Sequence, residues 1–559
     1  MWWLKLSARA GDQLIDVQDS GLSAAEGGRP DFQSFSPCEN ERVILPSRAR
    51  GLLTAIVIAT AAGGSLAALY YHRLGLTLSH YDARGHLVVA RRIIDNITPG
   101  WQQIGAVWLP LPHLLNALPV QIDAFYRSGA SAVALSTLSF GVAAAAIGWL
   151  VMLLTESPAA ALASATVFAL NPNMVYLQAT PMTEPLMLAL TTLGVAMLLA
   201  WSNRVTAAAG LTPLPAGTSI GVVFALACLT RYEAWPVTYA ALAAAAWTLW
   251  RRGEPLGRAC RRIAGVALYP TAAIVAFAIF SRVVIGAWFV SSGFFVPENK
   301  AHGLPLEATA EILWGTAAVS GPAMLWLAAA GGAALLATAL TSRLRAGSLV
   351  GVSLVTTAAV PWVAFVEGHP FRVRYMVPLI AAEAVAIGAL VGLAAVIARR
   401  YRPALRRVDV VAAVVVLCAA ALTVHPLDAT APMVVEAQWD RPNVPARQHV
   451  TNCLRARYDG TSIMASMGSL GHYMQEAARD GFRVRDFLHE GNGDIWLAAI
   501  EAPKPYAGWL LIEEKAQGGD VLAKRAREYP HFLDGYSRLC EGAGMALYER
   551  QNRMLNVKR

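Results

Sequence analysis

Apolar runs of about twenty residues recur along most of this chain and stop near residue 425. A helix needs ~20 apolar residues to cross the hydrocarbon core of a bilayer. The runs at 51–71, 130–154, 158–177, 185–201, 217–231, 234–250, 263–286, 313–340, 347–366, 375–398 and 408–425 meet or approach that length. They predict about eleven transmembrane helices. The long connection 71–129 has a different pattern. Residues 82–94 place Leu87, Ala90 and Ile94 on one side and Arg84, Arg91 and the following Asp95 on another, as in an amphipathic helix lying in the membrane interface. Residues 110–126 start Pro-rich and turn apolar, predicting a second such helix, with Trp101, Trp108 and Tyr126 suited to headgroup depth.

Beyond residue 425 the hydropathy drops, and 428–559 is long enough for one soluble domain. Strands are predicted at 461–467, 507–512 and 545–548. Helices are predicted at 470–479 and 521–528, the second capped by Asp520. The opening residues 1–45 are polar and rich in Gly, Ser, Asp and Glu, which predicts a disordered tail. Met1-Trp2-Trp3 lacks the long apolar core of a signal peptide. The layout expected is a tail over 1–45, an α-helical membrane domain over 46–427 and a small α/β domain over 428–559.

Composition agrees with the pattern. Hydrophobic residues make up 56% of the chain and charged residues 15%, against about 25% charged in soluble domains. The net charge of +9 reads as topology rather than as a nucleic-acid footprint, because arginines gather in alternate connections. Arg42, Arg48 and Arg50 precede the first run. Arg204, then Arg251, Arg252, Arg258, Arg261 and Arg262, then Arg343 and Arg345, then Arg399, Arg400, Arg402, Arg406 and Arg407 fall on the same side. By the positive-inside rule the N-terminus is cytoplasmic. An odd number of spans then puts the α/β domain on the opposite, extracytoplasmic face. The six cysteines show no CxxC or Cys/His cluster, so no structural zinc site is expected. Cys453 and Cys540 lie in the outer domain, where a disulfide and two free thiols are both open.

Ionisable groups at the ends of spans are costly and mark candidate sites. Four groups share the outer side: Asp82 with His80, Arg84 and His86; Thr183-Glu184-Pro185; Arg231-Tyr232-Glu233; and His369 to Tyr375, with Arg372 and Arg374. A carboxylate can take a proton from an attacking hydroxyl, and arginines can hold a phosphate leaving group. Each group also has a plainer reading. Asp82 can cap the helix after it. Glu184 can serve the helix dipole, Arg231 can pair with Glu233, and Arg372, Arg374 and Arg282 can snorkel. Glu383, well inside a span, reads equally as a functional group or as a protonated structural one. Asp82 and His86 share a helix face and with Glu184 offer a ligand mix that a divalent cation tolerates; no motif fixes that spacing, and no metal or other cofactor is assigned.

Tyr81-Asp82-Ala83-Arg84, Trp108-Leu109-Pro110-Leu111-Pro112-His113, Thr183-Glu184-Pro185, Thr230-Arg231-Tyr232-Glu233 and Arg372-Val373-Arg374-Tyr375 occur in that order on one side. In this the chain resembles the GT-C glycosyltransferases, more narrowly the bacterial relatives of the protein O-mannosyltransferases and of the lipid A aminoarabinose transferase. The resemblance covers about residues 50–400. It implies a bacterial cytoplasmic-membrane enzyme that transfers a sugar from a polyprenyl-phosphate donor to a hydroxyl acceptor at the outer face, with inversion. It implies Asp82 as general base and Glu184 as the second acid, with Arg231, Arg372 and Arg374 for the lipid phosphate. Arg84, His86, His113, Tyr232, Glu233 and Tyr375 join them as substrate-binding candidates. Two departures stand out: Ala83 replaces the second acid of the family's usual Asp-Glu pair, and Leu109–Pro112 lacks the lysine of the usual Lys-Pro-Pro.

Two other classes fit the composition. A transporter or flippase of lipid-linked sugars would also have many spans with buried polar groups, but the chain shows no clear repeat and only Gly321-Pro322 as a candidate helix break. A scaffold binding a wall polymer would use Trp496, Tyr506, Trp509 and Tyr536 for stacking, though such aromatics more often form core. The connection 288–311, with Phe294, Phe295, Pro297 and Gly303, reads either as a loop that closes over a ligand or as plain surface.

Overall fold

The computed structural model describes residues 47–104, 108–207, 216–284, 286, 288, 299–401 and 407–551. The chain divides into Met1–Ser47 and Arg48–Arg559, and the second unit is the one described. The expected tail and the apolar loop residues Phe294, Phe295 and Pro297 lie outside the described residues.

Seven described helices are long and apolar enough to cross a membrane: Ala49–Arg73, Ala130–Thr155, Glu184–Val205, Leu256–Val284, Pro322–Thr341, Ser348–Val366 and Val373–Ala394. Pro158–Leu170, Gly217–Cys228 and Val408–Thr423 are shorter apolar helices in places where spans were expected. The 234–250 run forms helix Ala234–Arg251. Of these seven, Val373–Ala394 is the most enclosed, and Ser164 on a neighbouring helix donates to its Ala384 carbonyl at 2.7 Å. Such close, small-residue contacts suit a bundle that has no hydrophobic drive between helices.

The structure breaks two of the expected spans. The 313–340 run is two helices, Pro305–Ser320 and Pro322–Thr341, separated at Gly321. Gly321 has φ +81°, which a side chain would resist, and Pro322 offers no N–H to continue the first helix. The Val319 carbonyl at the break accepts from the Asn171 and Asn173 amides at 2.9 and 2.8 Å. Backbone freed at such depth needs partners from within the protein. Likewise 158–177 ends its first helix at Leu170, and Asn171 caps a short helix, Pro172–Leu177.

The 428–559 region forms a mixed sheet in the order β2-β1-β3-β5-β4. The strands are β1 Ile463–Ala465, β2 Phe487–Leu488, β3 Trp509–Glu513, β4 Tyr536–Gly542 and β5 Met545–Arg550. β1 is parallel to β2 and β3, whereas β5 is antiparallel to β3 and β4. The helix Val521–Glu528 starts where expected, with Asp520 accepting from Ala523 N. Side chains alternate across the sheet. Ile463, Ala465, Trp509, Leu511 and Leu547 pack on one face, and Met464, Leu510, Ile512, Ala546 and Tyr548 on the other with Trp496 and Leu522. Trp496, Trp509 and Tyr536 are therefore core, not stacking platforms. The thiols of Cys453 and Cys540 are both free.

The first core of the sheet does not stop at residue 428. It continues into Leu87, Val88 and Ala90 of helix Tyr81–Arg91, and into Tyr126. The expected helix 82–94 is thus present but is not a surface helix, since Asp82 to Arg91 are all buried. Its polar side is covered by the C-terminal region. Arg84 Nε donates to Leu78 O at 2.6 Å and Nη1 to Glu476 Oε2 at 2.9 Å, while Arg447 shares the same carboxylate oxygen at 3.0 Å. Arg91 pairs with Asp95 and Asp123 at 2.8 and 2.7 Å, and Arg485 reaches Asp95 at 2.5 Å. The second expected helix, 110–126, is broken by its prolines into Leu111–Asn116, a 3-10 turn Pro119–Gln121 and Asp123–Ser128.

Removing one partner from a buried ion pair strands the other, at a cost of about 3–5 kcal/mol. In Glu476→Ala neither arginine is fully stranded, since Asp440 stays 2.7 Å from Arg447 and 3.8 Å from Arg84, so the loss of the shared carboxylate should destabilise the protein by less, about 1.5–3 kcal/mol. Unfolding of the detergent-solubilised protein measures it, and a change below about 1 kcal/mol would show that the network is not holding the helix.

Candidate active site

Helix Tyr81–Arg91 starts with His80 as its N-cap, whose Nδ1 accepts from Asp82 N at 3.1 Å. The Asp82 carboxylate is thereby released from capping. It pairs instead with Nη1 of Arg374, in the short 3-10 turn Val373–Met376. Glu436 braces both sides of this pair. It accepts from Val373 N at 2.8 Å and lies 3.8 Å from His80 Nε2.

A second charged group sits beside the first. Arg231 donates from Nη2 to Glu233 Oε1 at 2.6 Å and from Nη1 to Thr183 Oγ1 at 3.1 Å. Its Nη1 is also 3.0 Å from Glu184, the first residue of helix Glu184–Ala207. Glu184 is fully buried, with the Arg231 guanidinium as its ion-pair partner. The plain pairing of Arg231 with Glu233 is thus present, but it is half of a larger cluster of three carboxylates and two guanidiniums.

Burial alone would raise the pKa of Asp82. The facing Arg374 charge overrides burial and holds the carboxyl at about 2. At Glu233 burial again raises the pKa, and Arg231 lowers it further than that. Two histidines complete the polar end. His113 Nδ1 meets the Leu109 carbonyl at 3.1 Å, and its Nε2 meets His86 Nδ1 at 3.0 Å. A carbonyl only accepts, so His113 carries its proton on Nδ1 and His86 donates to it. Burial pushes both imidazoles down, His113 to about 3, so both are neutral.

These groups border a cavity of about 580 Å³. Its polar lining includes His86, His113, Thr183, Thr230, Arg231, Glu233 and Arg374. Its apolar lining includes Trp235, Pro236, Val360, Pro361 and Val363. Tyr232 and Tyr375 lie on the lining. Asp82 and Glu184 do not: they stand behind the guanidiniums that do.

Of the residues expected from sequence, the structure brings Asp82, Glu184, His86, His113, Arg231, Tyr232, Glu233, Arg374 and Tyr375 to this place. Arg84 faces Glu476 instead and braces the helix. Arg372 is off the lining, its guanidinium 5.5 Å from the Trp439 ring. Sequence reasoning missed Glu436, which lies in a short helix, Pro432–Glu436, past the last apolar run, with no local pattern to mark it. It left His369 without a role, although that residue lines the cavity with its Nε2 at 3.4 Å from the Tyr375 hydroxyl.

The Asp82 pKa is lower folded than unfolded, so its pairing stabilises the fold above about pH 4 and loses that effect as pH falls through about 2. The stability gap between the wild type and Asp82→Asn should be constant above about pH 4 and shrink toward pH 2. A gap that is flat over that range would show that Asp82 is not held ionised by Arg374.

No family model matches the sequence, and no curated protein matches it. Solved structures do match. ArnT from Cupriavidus metallidurans bound to undecaprenyl phosphate aligns with a TM-score of 0.50 at 12% identity, covering 89% of this chain and 98% of that one. The same protein in the apo state aligns with a TM-score of 0.51 at 13% identity, covering 90% and 98%. Identity this low speaks for the fold alone, and the fold of this chain is similar to that of ArnT.

Proposed function

We propose that the protein transfers a sugar from a polyprenyl-phosphate donor to a hydroxyl acceptor at the outer face of the cytoplasmic membrane, with inversion at the anomeric carbon. The observation that carries this reading is the mixed lining of the cavity. The guanidiniums of Arg231 and Arg374 line it together with apolar side chains such as Trp235, Val360 and Val363, which suits an amphiphile with a phosphate head and a prenyl tail. The ArnT structure bound to undecaprenyl phosphate supports the lipid class of the partner.

In this reading the donor phosphate takes a hydrogen bond from Arg374 that Asp82 now holds. Asp82 then keeps its burial but loses part of its counter-charge, so its pKa rises toward that of a working base. The acceptor oxygen attacks the anomeric carbon, the bond from that carbon to the phosphate oxygen breaks, and the hydroxyl proton passes to Asp82. Polyprenyl phosphate leaves with its new charge facing Arg231 and Arg374. Glu184, the second acid of this reading, acts through Arg231, whose guanidinium it holds at the cavity. The base thus stays covered until the donor arrives, which protects the donor from water. The arginine clusters, read by the positive-inside rule, support an outer position for this end of the bundle. A transporter is less well supported, since the paired charges Asp82–Arg374 and Glu184–Arg231–Glu233 gather at helix ends.

Asp82→Asn keeps an acceptor for Arg374 but cannot take a proton. Turnover of a lipid-linked sugar should fall by about 10²–10⁴-fold, with the protein eluting as a folded species by size exclusion. Turnover at the wild-type rate would remove Asp82 as the base. Movement of the sugar lipid across liposomes without release of polyprenyl phosphate would favour transport.

A further inference from the structure

Among the described residues, one group of three His, Cys, Asp or Glu side chains converges on a common point: His449, Cys453 and Cys540, whose ligand atoms all lie within 4.8 Å of one another. It stands apart from the candidate active site. Three separate features of the chain build it. His449 and Cys453 are four residues apart on helix Val444–Arg457, so they share a face one turn apart, with Cys453 Sγ 3.9 Å from His449 Nε2.

Cys540 is aimed at them by an irregularity. The register of β4 against β5 shifts between Arg538 and Cys540, which inserts Leu539 as an extra residue. In a regular strand neighbours point to opposite faces, but here Leu539 and Cys540 both pack against the core that Cys453 also touches. A bulge is a standard way to re-aim a side chain at a functional position. The close approach of strand and helix depends on Gly542, since a Cβ there would collide with the Ala446 carbonyl. Helix spacing, bulge and glycine together bring two thiols and one imidazole to the surface side of the contact. His449 is exposed and both cysteines are half-buried, so an ion can enter from solvent.

We propose that His449, Cys453 and Cys540 form a binding site for a zinc-class divalent ion, with a fourth position open to water or to a further ligand. Tetrahedral zinc with Zn–S of about 2.3 Å and Zn–N of about 2.0 Å sets its ligand atoms roughly 3.5–3.8 Å apart. The His449–Cys453 separation is already close to that, and the third ligand needs only a small contraction. Two thiolates and an imidazole suit zinc over magnesium or calcium, which prefer oxygen. Binding releases the two thiol protons to solvent and involves no change of oxidation state. A disulfide would explain the two cysteines but would leave the placement of His449 without a use. The ion would tie helix Val444–Arg457 to the edge strand β4 and lock the edge of the sheet.

The full-length protein in detergent, stripped with chelator under a thiol reductant, is titrated with Co²⁺ and then Zn²⁺. One equivalent of Co²⁺ should give a thiolate-to-cobalt charge-transfer band that Zn²⁺ abolishes. Cys453→Ser and Cys540→Ser should each lose the band, and His449→Ala should weaken Zn²⁺ binding by roughly tenfold or more. The proposal is overturned if the wild type shows no thiolate band, or if Cys540→Ser keeps it unchanged. It is equally overturned if protein purified without reductant, and never exposed to chelator, contains Cys453 and Cys540 joined as a disulfide by mass spectrometry.

Discussion

The structure depends on the burial of helix Tyr81–Arg91. This helix carries charges that a membrane interface would solvate, yet none of its residues from Asp82 onward is left to solvent or lipid. Burying such a segment is costly unless every charge is met. The protein meets them from two sides. The membrane domain supplies Arg374 to Asp82, and the C-terminal region supplies Glu476 to Arg84 and Arg485 to the neighbouring Asp95. The C-terminal sheet is therefore not an appendage. Its core runs into the helix that presents the candidate base, and Glu436 reaches from the same region to the backbone beside Arg374.

Charge pairing also sets the state of the site. Each guanidinium at the cavity already has a carboxylate, so an arriving phosphate competes for a cation rather than finding a free one. In the proposed reaction, that competition reconciles a strongly acidic Asp82 with the role of base. The histidines add the opposite quality. Held neutral by burial and by a chain of hydrogen bonds that ends at the Leu109 carbonyl, they contribute polarity without charge.

Much of this was legible in the sequence because the bilayer imposes its own period. Runs such as 130–154 and 375–398 have to be helices, since no other single segment satisfies its own backbone in hydrocarbon. The acids and arginines were legible too, because charge at the end of an apolar run is rare. The role of Arg84 was not. Its spacing from Asp82 resembled a site residue, and only the distant Glu476 shows that it braces the helix. Strands β2 and β4 escaped notice because one is very short and the other is an edge strand whose bulge disturbs its alternation.

The sequence by itself determined the membrane class, the near-continuous helical architecture and the residue types available for group transfer. These follow from hydropathy and charge, which are local properties of the chain. Tertiary structure alone decided which charges meet, that the loop helix is buried rather than interfacial, and that Asp82 stands behind an arginine. It also decided that a histidine and two cysteines with no sequence motif converge. These depend on contacts between segments hundreds of residues apart, as with Arg374 and Asp82 or Glu476 and Arg84. Pairing at that distance is set by packing geometry, which no local pattern encodes.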